Sequence, residues 1–210
     1  LRLISDILDM SRIESGKMTV SNEAFSMNRA VEELEDMLTA EATRRGLEFT
    51  VEKDVENRTL MGDVIRLQQV LTNLVSNAFK FTPAGGSIIM RVTRTKSTNQ
   101  QVIYKFQVID NGVGISVENQ KRVFGAFEQV GPNYSKSQGT GLGLTISRTI
   151  VGLMGGELKL KSELGKGSEF YFSAAFSLAD PNVEEEIKIK QEKQKDGGVE
   201  SSCLEHMNIL

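Results

Sequence analysis

Three short segments carry residue types that could hold a phosphate-bearing nucleotide and its cation. They are Asn73-Leu-Val-Ser-Asn77-Ala-Phe-Lys80, Asp110-Asn-Gly112-Val-Gly114-Ile115 and Gly139-Thr140-Gly141-Leu142-Gly143-Leu144. Amide oxygens in the first suit a hard cation, which prefers oxygen ligands and reaches proteins largely through substrate phosphates. The second pairs a carboxylate with glycines that let backbone come close. The third offers consecutive bare N–H groups at the start of a periodic apolar run, an arrangement that favours anions. A G-x-x-x-x-G-K-[ST] run is absent, which excludes a P-loop. The run G-T-G-L-G-L follows an aperiodic loop, whereas a dinucleotide fingerprint must follow a strand.

Helical geometry sharpens the first segment. At about 100° per residue, Asn73, Asn77 and Lys80 fall on one narrow polar stripe, separate from an apolar stripe of Leu67, Leu71, Leu74 and Ala78. One face packs and the adjacent face is free to bind. A carboxylate at Asp110, emerging from a strand end, can accept from an exocyclic amine such as adenine's. Each segment also has a plainer reading. Two asparagines four apart can sit on a solvated face, D-N-G is a common turn, and a glycine loop can be structural.

These side chains need elements to position them. Residues 1–15 carry an amphipathic stripe at Leu1, Ile4, Leu8 and Met10, predicting a helix that Gly16 ends. Met18, Val20 and Phe25 suggest a short strand, and Ser26 is the expected N-cap of a helix to Arg45, closed by Gly46. Strands are expected at 47–53 and 59–61, then a helix over 64–79 capped by Asp63 and stopped before Pro83 and Gly85-Gly86. A hairpin over 87–95 and 101–109 follows. Ser116 is the expected cap of a short helix to Val123; a helix over 140–154 and strands over 157–162 and 167–176 complete the pattern. Mixed helices and antiparallel strands predict a two-layer α+β sandwich.

Composition bounds the partners. The chain has 210 residues, 39% hydrophobic, with a formal charge of -3, so it lacks the basic excess that drives nucleic-acid binding. Its apolar stretches fall well short of the roughly 20 residues that span a bilayer, so a soluble domain is expected. A single cysteine, Cys203, excludes an internal disulfide framework and fits a reducing compartment. From Ala179 onward, a polar run rich in Glu and Lys reads as a solvated linker.

Taken together, these residues resemble the ATP-binding catalytic domain of sensor histidine kinases, within the GHKL ATPase superfamily. Leu67 to Thr82 resembles that family's N box and Asp110 to Ile115 its first glycine box. Phe124-Gly-Ala-Phe127 resembles the F box and Gly139 to Leu144 the second glycine box. The match spans roughly residues 1–178. It implies a Bergerat-type fold binding ATP and Mg²⁺. Asn77 would ligate the metal, with Asn73 beside it at the metal or triphosphate; Asp110 would read the adenine amine. Lys80 would approach phosphate, with Phe81, Gly112, Gly114 and Ile115 lining the nucleotide. Gly139, Thr140, Gly141, Leu142, Gly143 and Leu144 would let backbone wrap the triphosphate, while Phe124 and Phe127 anchor a lid. Lys136 matches a basic lid position; Ser135 departs from the pattern where many members carry a second basic residue.

Hydrolytic relatives place a glutamate four residues before the metal asparagine, and here that position is Asn73. An amide takes no proton at neutral pH, so the resemblance implies transfer to a nucleophile other than water. The family's acceptor is a histidine on a dimerisation hairpin, and residues 1–15 resemble the end of that hairpin's second helix. The expected division is therefore 1–15 from the hairpin, 16–178 catalytic and 179–210 linker. His206, in the polar tail, is not the expected acceptor, which would lie upstream on the same or a partner subunit of a homodimer. A response-regulator receiver domain would take the phosphoryl group next, and Met207-Asn-Ile-Leu210 faintly resembles the opening strand of one. The resemblance implies a cytoplasmic domain, with a membrane anchor in the parent left open. Two other classes share part of the pattern. A hydrolytic GHKL ATPase conflicts with Asn73, and a non-catalytic nucleotide-binding interaction module sits poorly with intact Asn77, Asp110 and glycine boxes.

Overall fold

Local signals in the chain set the helices. α1 (Arg2–Glu14) ends before Gly16, and β1 (Glu23–Ser26) leads directly into α2 (Met27–Arg45). Ser26 caps α2 by accepting from the Arg29 N–H, and Gly46 closes it in the left-handed conformation, which glycine adopts without a Cβ penalty. After β2 (Glu48–Asp54) and β3 (Thr59–Gly62), Asp63 starts α3 (Val64–Phe81) by accepting from the Arg66 N–H. The remaining elements are β4 (Ser87–Ser97), β5 (Gln101–Asp110), α4 (Val117–Gln120), α5 (Gly143–Leu153), β6 (Lys159–Glu163) and β7 (Gly167–Leu178).

The structure is a computed structural model that describes residues 2–126, 128 and 140–180. The chain divides into two units, Leu1–Leu178 and Ala179–Leu210. The expected linker, with Cys203 and His206, lies outside the described residues apart from Ala179 and Asp180.

Seven strands form one mixed sheet in the order β1-β3-β7-β5-β4-β2, with β6 also paired to β7. All neighbours are antiparallel except β2 and β4. Alternation along β5 turns Val102, Tyr104, Phe106, Val108 and Asp110 to the buried face; Phe170, Phe172, Ala174 and Phe176 of β7 do the same. Phe106 stacks on Phe172 with ring centroids 4.8 Å apart. α3 lies over β4 and β5 and packs between α2 and α5. Its inward side chains Leu67, Val70, Leu71, Leu74, Val75, Ala78 and Phe79 are buried, and each large one contributes about 1.5–3 kcal/mol. The mixed α/β architecture agrees with the expected sandwich, helices on one face of the sheet.

Local expectations differ at several points: β1 begins only at Glu23, leaving Met18 and Val20 outside it, and α3 runs on to Phe81 rather than ending at Phe79. α5 begins at Gly143 rather than Thr140, and α4 stops at Gln120 rather than Val123. Ser116 occupies the N-cap position of α4, but its side chain makes no cap bond.

Candidate functional site

The last turn of α3 meets the loop after β5 through backbone. Phe81 closes α3 and its carbonyl accepts from the Val113 N–H at 3.1 Å. A Cβ on Gly112 would collide with that same carbonyl, and one on Gly114, which holds φ +66°, would collide with the carbonyl of Glu163. Here the glycines admit the protein's own backbone, seating the loop between α3 and the β6–β7 turn. Asp110, the last residue of β5, is thereby held at the buried end of the sheet. Its Oδ1 accepts from the Gly112 N–H at 2.9 Å, and the Ser168 N–H also donates to the carboxylate. Burial raises its pKa above the ordinary 3.8, against the lowering effect of those two donors. A buried carboxylate with acceptor capacity left is suited to an amine donor.

Polar side chains also lie near the end of α3. Asn77 and Lys80 are half-buried. Burial lowers the Lys80 pKa, and its Nζ lies 4.9 Å from the Phe81 ring centroid. Among the described residues the Asn77 amide has no hydrogen-bond partner, so its oxygen is available to a cation. Among the described residues no group of three or more His, Cys, Asp or Glu is placed to hold a metal ion. A divalent cation here would be held by amide and phosphate oxygens, and the residues present fit Mg²⁺ in that way.

Asn73 differs from the stripe drawn for it. It is 8% exposed, and its Nδ2 donates to Ser147 Oγ of α5 at 2.9 Å. The cause is Gly143: a Cβ there would overlap the Asn73 amide, so its absence lets α5 close over the side chain. The third glycine of the G-x-G-x-G run therefore serves helix packing. The N-cap of α5, Leu142, makes no side-chain cap bond, which leaves first-turn N–H groups to favour an anion.

The other nominated residues divide clearly. Leu142 is 1% exposed and belongs to the core, and Leu144 and Ile115 pack against it. Thr140 donates to Asp6 Oδ2 of α1 at 3.1 Å and accepts from the Leu142 N–H. Gly141 sits in the turn before α5 with φ +70°. Phe124 meets Phe170 edge-on, ring centroids 6.3 Å apart, with the Arg148 guanidinium 5.7 Å from its own centroid. Phe127, Lys136 and Gly139 lie outside the described residues.

Residues 62–178 match the family described as "Histidine kinase-, DNA gyrase B-, and HSP90-like ATPase". The chain belongs to this family. The HATPase_c match covers every site element above, from α3 to β7. The sensor protein GacS of Pseudomonas syringae is 36% identical over 212 residues, covering all of this chain and 23% of that protein. The histidine-protein kinase BarA of Escherichia coli is 37% identical over 186 residues, 87% of this chain and 20% of its own. The chain thus spans about a fifth of those relatives' length. Among solved structures, full-length ShkA in complex with AMPPNP superposes with TM-score 0.71 at 29% identity, covering 85% of this chain and 36% of that one. The catalytic domain of the histidine kinase ThkA gives 0.60 at 27% identity, covering 73% and 94%.

Within this HATPase_c domain, two serines went unnoticed in the sequence. Ser168 faces Asp110 across the β5–β7 register, and Ser162 of β6 pairs with Ser168. A hydroxyl in a run such as Gly165-Lys-Gly167-Ser168 carries no spacing signal of its own. Pairing with the strand that ends in Asp110 is what reveals it. Among the described residues no helix is long and apolar enough to cross a membrane.

Proposed function

We propose that this chain is the phosphoryl-donor part of a hybrid sensor histidine kinase. It binds Mg-ATP and passes the γ-phosphoryl group to a histidine on the same or a partner subunit of a homodimer, from which a receiver domain takes it. In this reading residues 1–15 belong to the phosphoacceptor hairpin, 16–178 form the catalytic domain and 179–210 are a linker, all in the cytoplasm. The histidine-protein kinase BarA and the sensor protein GacS among the relatives support the reaction class.

One observation carries the choice of acceptor. Asn73 stands where a hydrolase needs a base, and it is buried with its amide already given to Ser147. An amide cannot activate water, so catalysis here rests on placing ATP and neutralising its charge. Asn77 would hold Mg²⁺, which would supply positive charge to neutralise the phosphates; Lys80 would meet phosphate oxygen, and Asp110 would fix the base. Phe81, Ile115 and Phe124 shape the walls, and the segment from Gly139 through Thr140, Gly141, Leu142, Gly143 and Leu144 offers backbone to the phosphates. Phe127 and Lys136, outside the described residues, are assigned to the lid on the family resemblance alone.

Calorimetric titration with AMPPNP and Mg²⁺ tests the site: binding that Asp110→Ala abolishes is expected. Steady-state phosphate release from ATP tests the acceptor. Release slower than about one turnover per minute is expected, far below the typical enzyme range of about 1–10³ s⁻¹, and rapid release would overturn transfer in favour of hydrolysis.

A further inference from the structure

The β6–β7 hairpin holds a saturated, partly buried hydroxyl. Ser162 Oγ accepts from the Ile115 N–H at 2.8 Å, lies 2.8 Å from the carbonyl oxygen of Gly167 and 2.9 Å from Ser168 Oγ. A serine hydroxyl has one proton to give and two lone pairs to receive. The Gly167 carbonyl can only accept, so the Ser162 proton is committed to it. Toward Ser168 the Ser162 oxygen must then accept. The Ser168 hydroxyl is the donor of that pair, and its only proton is used.

The consequence lies one residue away. Ser168 is 8% exposed, as is Asp110, and the two face each other in register on the helix-facing side of the sheet. With its proton spent on Ser162, Ser168 Oγ has only lone pairs left for anything bound there. The Asp110 carboxylate is likewise an acceptor. The end of the sheet is therefore acceptor-only across two side chains, and its polarity is set from behind by Ser162.

We propose that Ser162 is a positioning residue that sets base specificity, holding Ser168 as an acceptor beside Asp110 so that the pocket takes adenine, with its amine donor, and rejects guanine. Guanine presents a carbonyl oxygen where adenine has its amine. Against two acceptors that oxygen is unpaired and repelled, a penalty that hydrogen-bonding sites impose strongly. The same Ser162 oxygen fixes the Ile115 N–H, so one side chain sets both the polarity and the wall of the pocket. This inference rests on the nucleotide-site reading above.

The test uses the full chain and competition between AMPPNP and GMPPNP, each with Mg²⁺. Ser162→Ala frees the Ser168 proton to donate to a guanine carbonyl. The AMPPNP-to-GMPPNP affinity ratio is expected to fall about tenfold, the worth of one hydrogen bond. Ser162→Thr, which keeps the hydroxyl, should retain the ratio. Ser168→Ala should narrow it as far, and adding Ser162→Ala to that background should change nothing more. A ratio unchanged in Ser162→Ala, with both affinities falling together, would mark a structural role and overturn the proposal. If Ser162→Ala does not fold, Ser168→Ala decides alone, since it leaves the Ile115 and Gly167 bonds in place; an unchanged ratio there overturns it equally. Failure of the wild-type chain to bind AMPPNP would instead sink the nucleotide site itself, a distinct result.

Discussion

The two ends of α3 treat their polar groups in opposite ways. At the N-terminal end Asp63 accepts from the Ser21 and Arg66 N–H groups. Asp9 of α1, 5% exposed, takes Arg66 Nη1 on both oxygens at 3.1 and 3.0 Å and Gln69 Nε2 at 2.8 Å. At the C-terminal end the Asn77 amide has no partner among the described residues and Thr82 Oγ1 is buried without one. Among the described residues Lys80 has only the Phe81 ring beneath it. Buried polar groups are normally paired. The end that joins α1 to the body is complete as folded, and the end that faces Asp110 is left for a ligand to complete.

The sharpest way to break that contrast is at Asn77. Replacing it with Ala removes the oxygen proposed for the metal but no bond that the fold uses. Mg-AMPPNP affinity is expected to drop by a hundredfold or more, about 3 kcal/mol, while the melting temperature moves by less than about 4 °C, the shift of under 1 kcal/mol. Comparable losses in both would show that Asn77 is structural.

Asp9→Ala probes the other end with the reverse expectation. It leaves Arg66, 18% exposed at its side chain, without its carboxylate, at a cost of about 2 kcal/mol. Amide exchange across α1 should accelerate accordingly. Because Asp9 bonds Arg66 and Gln69 in the first half of α3, away from Asn77 and Asp110, AMPPNP affinity should stay within about threefold, less than 1 kcal/mol. An affinity loss matching that of Asn77→Ala would mean that the ends are not independent.

The sequence announced its elements through caps and alternation. Ser26, Gly46 and Asp63 bracket helices as their chemistry requires, and the period-two pattern of Val102, Tyr104, Phe106 and Val108 places Asp110 on the buried face. Those signals are local, a few residues wide. What escaped is what pairing across the chain creates. The parallel β2–β4 pair, the Asp9–Arg66 ion pair 57 residues apart and the Asn73–Ser147 bond 74 apart have no local trace. Asn73 shows the limit well. Helical geometry put it beside Asn77 on a polar stripe, but only the approach of α5 over Gly143 decides that one asparagine is covered and the other open.

The smallest expected effect concerns Asp110, and its sign distinguishes a ligand-facing group from a fold-stabilising one. Burial raises its folded pKa above the ordinary 3.8, while in the unfolded chain it ionises near that ordinary value. Between the two, the folded state keeps a proton the unfolded state has lost, so stability is highest at low pH and declines as pH rises through the window. A carboxylate that stabilised the fold would show the opposite slope. Nucleotide binding runs the other way, since the ionised form is the better acceptor: affinity should increase with pH over the same window. Asp110→Asn removes the titration from both. It should melt no lower than wild type at neutral pH and bind AMPPNP about tenfold more weakly, the difference between a charged and a neutral acceptor. Dividing wild-type by Asp110→Asn affinities at each pH cancels protonation of the nucleotide's own phosphates, and the remaining ratio should rise with pH. A flat ratio, or a melting temperature that rises with pH in wild type relative to Asp110→Asn, would place Asp110 with Asp9 among groups the fold itself requires.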